Sequence, residues 1–267
     1  MVRYNKRAAG SIMTFKPDEL NVLNRKYLVS TLCFMNRCLK LSSDEEFDEL
    51  LQDIADFLGF RFILYCFTRT SYCKGYGINL HNVSNPSEWM LEYGLNGYIN
   101  NDPVRIEAEQ RLERGIRNMF ILWDSYDREL SPEELHIIER RKFFGLNYGF
   151  SIFSDSKPKD FSFLVSFADS KKQVDERTAV VMNILMPHLT VIRKRLEMIK
   201  LVSSLTDREK EVADWIADGK TSWEIATIMP ISENTVKFHT KRIFHKLGVS
   251  NKQQAIAILL AVRYLSL

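Results

Sequence analysis

The chain has 267 residues, 45% hydrophobic and 27% charged, with a formal net charge of +3. That length suits two domains, each able to bury a core, and the charge is too balanced to name a partner by itself. Cys33, Cys38, Cys66 and Cys73 form no Cys-x-x-Cys pair, which argues against a zinc site, and no stretch approaches the ~20 apolar residues of a membrane span.

Residues 1–40 read as an N-terminal extension, with a loose first 15 residues and "LNRKYLVSTLCFMNRCLK" as a helix packed on the body. The opening "MVRYNKRAAGSIMTF" has basic residues but no apolar run after them, so no export signal is expected. The expectation is a cytoplasmic protein with reduced thiols, no membrane partner, and no metal or other cofactor.

"SSDEEFDELLQDIADFLGF" places Phe47, Leu50, Leu51, Ile54 and Leu58 on one helical face, with Ser43 as cap and Gly59 as stop. "FRFILYCFTRT" has the β-branched and aromatic content of a strand, with "GYGINL" as its partner. From His81 to Asp124 the pattern is mostly helical, broken near Gly94, Gly97 and Pro103. "SPEELHIIERRKFFG" opens on a Ser131 cap and Pro132. "YGFSIFS" and "FSFLVSFAD" read as strands around the turn "DSKPKD", and residues 174–199 as a long helix. Strands and helices mixed this way predict an α+β chain whose N-terminal part is an α/β/α sandwich.

A linker is expected at 199–205, followed by an all-α unit of four short helices near 207–217, 221–228, 232–247 and 251–264. Thr206 and Thr221 stand at N-cap positions, and Ser232 or Asn234 caps the third helix. Two helices joined by a turn of about four residues describe a helix-turn-helix, whose second helix fits a major groove roughly 12 Å wide. From Thr235 to Lys252 there are five Lys or Arg and no Asp or Glu. Lys237 and Lys241 are i,i+4 and share a face, and such side chains are the usual donors to guanine edges and phosphates. The apolar residues Val236, Ile243, Phe244 and Leu247 hold the helix on its scaffold, leaving the basic face for duplex DNA.

The segment from "LTDREKEVADWIADGK" through "ENTVKFHTKRIFHKLGVSNKQQAIA" closely resembles the four-helix DNA-binding domain of LuxR-type transcription regulators. Leu205, Thr206, Arg208, Glu209, Gly219, Ile225, Thr235, Val236, His239, Lys246 and Asn251 fit that pattern, while Ala213 departs from its usual Leu. The resemblance implies that the positions of Lys237 and Lys241 face bases or phosphates, and Lys220, Thr221, Asn234, Thr235, Thr240 and Arg242 are the further candidates for the DNA surface. It also implies that the last helix dimerises and that Glu209 is a structural ion-pair member.

"NPSEWMLEYGLNGYINNDPV" resembles the signal-binding domain of quorum-sensing LuxR-type regulators: Trp89, Tyr93 four later, then Asp102-Pro103, with Trp123 and Gly149 following. The domains expected are then 41–198 for acyl-homoserine lactone binding and 206–267 for DNA binding. By resemblance, Trp89 binds the lactone carbonyl, Asp102 the amide N–H and Tyr93 the acyl carbonyl region. Trp123 packs on the ring, and Ser166 lies where a further hydrogen bond can form. An indole N–H, a carboxylate and a phenol are chemically suited to those partners. Each residue alone has a plainer reading: tryptophans pack, and an Asp before Pro often shapes a turn.

Two positions depart from the family. Asn85 stands where Tyr is common, and Asp102 to Trp123 spans 21 residues, longer than usual. A non-lactone ligand, or a protein partner with no ligand, is therefore the alternative. A phosphoacceptor domain is disfavoured because "FRFILYCF" carries no acid, and an enzyme because no nucleophile–base pair or phosphate loop is visible. The partners expected are DNA, an acyl-homoserine lactone and a second copy of the chain, with RNA polymerase as a further candidate.

Overall fold

The computed structural model of the chain describes residues 17–71, 75–116, 118–126, 128–155 and 161–265. The expected loose segment 1–15, Cys73 and most of the "DSKPKD" turn lie outside the described residues. The chain divides into two compact units. One takes in the chain up to Thr68 and Ile78–Thr190, and the other Arg69–Gly77 and the chain from Val191 on. Among the described residues, no helix is long and apolar enough to cross a membrane.

A five-stranded sheet of order β2-β1-β5-β4-β3 underlies the first unit, with only the ends of β1 and β2 within Arg69–Gly77 assigned to the other: β1 Phe62–Ser71, β2 Gly75–Asn82, β3 Asn118–Leu122, β4 Tyr148–Asp155 and β5 Phe161–Asp169. β4 pairs antiparallel with both neighbours, Ser151 facing Ile121 on β3 and Ser166 on β5. Alternation along these strands separates two faces. Phe150, Ile152, Phe163, Val165 and Phe167 point to one, and Met119, Ile121, Gly149, Ser151, Phe153, Ser166 and Ala168 to the other.

The first face carries α2 (Asp44–Leu58), whose Phe47 meets Tyr65 at 5.4 Å and Phe163 at 6.0 Å. Ser43 accepts the Glu46 N–H at 3.2 Å, and Gly59 closes the helix at φ 83°, a left-handed conformation that glycine takes without strain. α1 (Arg25–Lys40) packs on α2 through Tyr27 and Phe34, both against Phe57. The second face carries α3 (Ser87–Leu95), a 3-10 turn at Tyr98–Asn101, α4 (Pro103–Glu113) and α5 (Pro132–Phe143). Helices on both faces make the expected α/β/α sandwich.

Two corrections concern the stretch expected to be helical from His81 to Asp124. His81 and Asn82 end β2, and Asn118–Leu122 is strand β3. The run is short and apolar, a length at which periodicity does not separate strand from helix. Gly115 at φ 82° ends the α4 segment and frees the next residues to pair with β4.

α6 runs Glu176–Ser203, so residues 199–203, read as linker, are its last turn, and the division between units falls inside it. In the second unit α7 (Asp207–Ala217), α8 (Ser222–Ile228), α9 (Glu233–Leu247) and α10 (Lys252–Leu265) enclose Val212, Ile216, Ile225, Val236, Ile243, Leu247 and Ala255. Ala213 is buried in that core. Thr206 and Thr221 each form a reciprocal capping box with a Glu three residues on, and Ser232, not Asn234, caps α9.

Candidate ligand site and DNA-binding surface

Trp89 and Tyr93 sit one turn apart on α3, which brings their rings to 5.5 Å. Asp102 ends the following 3-10 turn and caps α4. Its Oδ1 accepts the Val104 N–H at 2.8 Å and the Arg105 N–H at 3.3 Å, while Oδ2 accepts the Tyr93 hydroxyl at 2.8 Å. The Asp102 carboxylate thus caps α4, as the turn reading expected, and holds the Tyr93 hydroxyl as well. A carboxylate has about four lone-pair positions, so it retains acceptor capacity for a ligand N–H.

Burial and then the Asp102 charge raise the Tyr93 pKa, which keeps the phenol a donor. Burial likewise pushes the Cys66 thiol up to about 12, with Asp102 adding to the effect, so Cys66 stays protonated beside the site. Trp89 is 6% exposed, and its indole Nε1 has no hydrogen-bond partner among the described residues.

Trp123 follows β3, and its Nε1 donates to Ser151 Oγ at 2.9 Å. Ser151 and Ser166 share a hydrogen bond at 2.7 Å. The indole is thus oriented by β4 and β5 together, and its N–H is already used. Gly149 lies against this ring: a Cβ there would stand 2.7 Å from both Trp123 Cε3 and Phe167 O. That close approach explains the glycine. Trp89 and Trp123 belong to one apolar cluster with Val104, Ile121 and Ile137, against which Tyr93, Tyr98 and Tyr126 pack.

Among the described residues, Asn85 touches this group only through Met90, which packs on the cluster. Its backbone N–H donates to Asn82 Oδ1 at 2.8 Å, and its side-chain nitrogen faces Met90 Sδ at 3.9 Å. Ser166 reaches the group through Ser151. Sequence reasoning missed Ser151, Cys66, Tyr126 and Arg141. Only the alternation of "YGFSIF", which puts Ser151 on the Gly149 face, signalled any of them.

In the second unit, α8 and α9 form the helix-turn-helix. Asn234, Lys237, Lys241 and Arg242 are exposed along α9, and Thr235 and Thr240 are half-buried. Lys237 pairs with Glu233 at 2.8 Å, whereas Lys241 has no ion pair among the described residues. Thr240 Oγ1 donates back to the Val236 carbonyl at 2.9 Å, and Thr235 is tied to the Ser232 cap. Lys220 and Thr221 stand at the start of α8.

Glu209 is buried and receives Lys246 at 2.6 Å, Arg242 at 3.1 Å and the Thr206 N–H at 2.9 Å. Burial acts to raise its carboxyl pKa, but Lys246 and the Thr206 contacts outweigh that and hold it at about 2. It is the ion-pair member that the sequence reading expected. Arg242 divides its guanidinium between this carboxylate and the Phe238 ring at 5.6 Å.

A buried aromatic and carboxylate site in one unit, and a capped basic helix in the other, define a chain that joins a small-molecule domain to a DNA-binding domain. Residues 43–192 match the autoinducer binding domain family, and residues 203–259 match the bacterial regulatory proteins of the luxR family. The chain is 28% identical over 225 residues to the transcriptional activator protein VanR of Vibrio anguillarum, covering 81% of this chain and 90% of VanR. It is 31% identical over 185 residues to the transcriptional activator protein SolR of Ralstonia nicotianae, covering 66% and 74%. Its fold is similar to the crystal structure of SdiA from Escherichia coli, with a TM-score of 0.54 at 23% identity over 90% of this chain and 99% of that one. The chain belongs to the LuxR family of quorum-sensing transcription regulators, with an autoinducer-binding domain and a helix-turn-helix domain.

Proposed function

We propose that this regulator binds an acyl-homoserine lactone among Trp89, Tyr93, Asp102 and Trp123, and as a homodimer holds a two-fold related promoter site through α9. The observation that carries the reading is the Tyr93–Asp102 hydrogen bond beside the buried Trp89 ring, 5.5 Å from Tyr93. One acceptor and one donor converge on a largely apolar cluster, as a small amide with an oily tail requires. Trp89 donates to the lactone carbonyl, Asp102 accepts from the amide N–H, and Tyr93 serves the acyl carbonyl region. Trp123 packs on the ring, and Ser166 adds polarity through Ser151.

On the DNA side, Lys237, Lys241 and Arg242 contact phosphates or base edges, with Asn234, Thr235 and Thr240 beside them and Lys220 and Thr221 at the start of α8. The domain limits proposed are 41–198 and 206–267, with 1–40 as an extension. The chain works in the cytoplasm, where it meets DNA and RNA polymerase, and catalyses no reaction. The alternative is a regulator that answers a non-lactone molecule or a protein partner, favoured by the turn-bound Asn85. Mass spectrometry of an organic extract of the purified protein, produced beside a lactone-making strain, separates the two. A co-purified acyl-homoserine lactone is expected; extraction of a different ligand, or of none, favours the alternative.

A further inference from the structure

Phe238 stands on the side of α9 that turns away from its own domain. The buried residues Val236, Ile243 and Leu247 mark the side that packs on the core of the second unit. At about 3.6 residues per turn, Phe238 lies roughly 200° round the helix from Val236. It is 56% exposed and does not pack on that core, whereas Ile231 and Phe244 do. Among the described residues its ring contacts are with its own helix: the His239 ring at 5.7 Å and the Arg242 guanidinium at 5.6 Å. Phenylalanine is also a weaker helix former than Ala, Leu or Lys. Neither core packing nor helix propensity therefore accounts for an aromatic residue here.

An isolated exposed apolar side chain is ordinary on a protein surface. What sets this one apart is its place. Asn234 lies four residues before it, and Lys241 and Arg242 lie three and four after it, spacings that put all three beside the ring on the helix surface. All three are exposed. Arg242 is anchored to buried Glu209 at 3.1 Å, and Glu209 in turn receives Lys246 at 2.6 Å. The guanidinium over the ring is thus tied to the body of the domain and restrains the ring where it stands. The cations draw this face onto a duplex, but a phenyl ring offers nothing to a phosphate. In the major groove, the apolar feature that base edges present is the thymine C5-methyl.

We infer that Phe238 is a specificity-determining residue of the DNA site, reading one thymine methyl in each half-site through its exposed ring. This rests on reading α9 as the helix that enters the major groove. Lysine contacts to phosphates hold any sequence alike, whereas the ring favours a T·A pair because burying the methyl against it removes apolar surface from water. The other base edges meet the ring with polar atoms that it cannot pair.

Uracil substitution tests it. A duplex that the full chain recovers from a random library, with or without a panel of acyl-homoserine lactones, is resynthesised with each thymine in turn replaced by deoxyuridine. Uracil pairs with adenine as thymine does and lacks only the methyl. By fluorescence anisotropy, the wild type is expected to lose roughly three- to tenfold in affinity at one thymine position, the same in both half-sites. Phe238→Ala should bind the thymine and uracil duplexes alike, near the wild-type affinity for the uracil form. Phe238→Leu should keep part of the discrimination. Both variants should melt as the wild type does, because the side chain is exposed. A wild type indifferent to uracil at every position overturns the inference, as does a uracil penalty that survives unchanged in Phe238→Ala at every sensitive position. In either case α9 remains the DNA-facing helix if Lys241→Ala weakens binding. If Lys241→Ala and Phe238→Ala both bind the recovered duplex as the wild type does, or if no duplex is recovered, both readings fall.

Discussion

In the second unit, the groups that set the DNA-facing helix are close in sequence. Ser232 caps through Thr235, Thr221 through Glu224 and Thr206 through Glu209, each pair three residues apart. In the first unit, Trp123, Ser151 and Ser166 are linked across 28 and then 15 residues, and Glu92 meets Arg140 across 48. One site is a property of local helix chemistry, and the other exists only after the sheet has formed. The first should lose its contacts one at a time when mutated, and the second should respond as a unit.

The largest expected effect lies in the ligand site. Asp102→Asn keeps an oxygen to cap α4 and puts an N–H where Oδ2 stood, so the Tyr93 contact survives with donor and acceptor reversed and the charge is lost. Acyl-homoserine lactone affinity should fall by about 1–3 kcal/mol, roughly five- to 150-fold, by titration calorimetry. Because Asn remains a good cap, the unliganded protein should lose less than about 1 kcal/mol. Wild-type affinity with a clearly lower unliganded melting temperature would make Asp102 a cap and nothing more. Trp89→Phe should cost a comparable amount, and the double mutant less than the sum, if both side chains act on one head group as proposed.

Gly149→Ala tests the sheet-built half of the site. Its Cβ would press on Trp123 and on the Phe167 carbonyl, so stability should drop by about 1–3 kcal/mol, with a shift in tryptophan fluorescence. A variant that melts and fluoresces as wild type would show that Trp123 is not held as described.

Glu209→Gln probes the second unit. Glu209 has a folded pKa of about 2 against an ordinary 4.5, so its stabilising effect is fully present above about pH 4.5 and is lost as the pH falls toward 2. The variant should be less stable by about 1–3 kcal/mol at neutral pH. The gap should close on acidification, measured by denaturant unfolding across pH. A gap independent of pH would place the loss in packing instead of charge.

The smallest effects belong to single lysines. Lys241→Ala and Lys237→Ala should each lower the salt slope of DNA binding by about 1 if the lost contact is to phosphate, with the fold unchanged. The loss should be larger for Lys241, because Lys237 is already engaged by Glu233. Unchanged DNA affinity in both would mean that another surface meets the duplex.

The same contrast governs what the sequence disclosed. α2 was legible from Ser43, its apolar face and Gly59, and α7–α9 from their caps, because each signal lies within a few residues of its effect. Trp89, Tyr93 and Asp102 were legible as a spaced motif. That Asp102 binds Tyr93 while capping α4 was not, since spacing carries no geometry. β3 was misread because four apolar residues in a row, Met119 to Leu122, suit either periodicity until β4 pairs with them. Arg141 was invisible for a related reason. In "HIIERRKFF" it looks like an ordinary basic residue of an amphipathic helix, and only the packed fold buries it over Trp123 while Arg140, one position earlier, reaches Glu92.

The central claim is that a ligand held in the first unit governs DNA binding by the second. Selection of bound sequences from a random duplex library by the full chain, with and without a panel of acyl-homoserine lactones, tests it most directly. With the bound lactone present, the recovered sequences should converge on a two-fold symmetric site, as two copies of α9 require. Enrichment should weaken without lactone, in Asp102→Asn and in Lys241→Ala. Recovery of the same site at the same enrichment with and without every lactone, and in Asp102→Asn, would contradict the account.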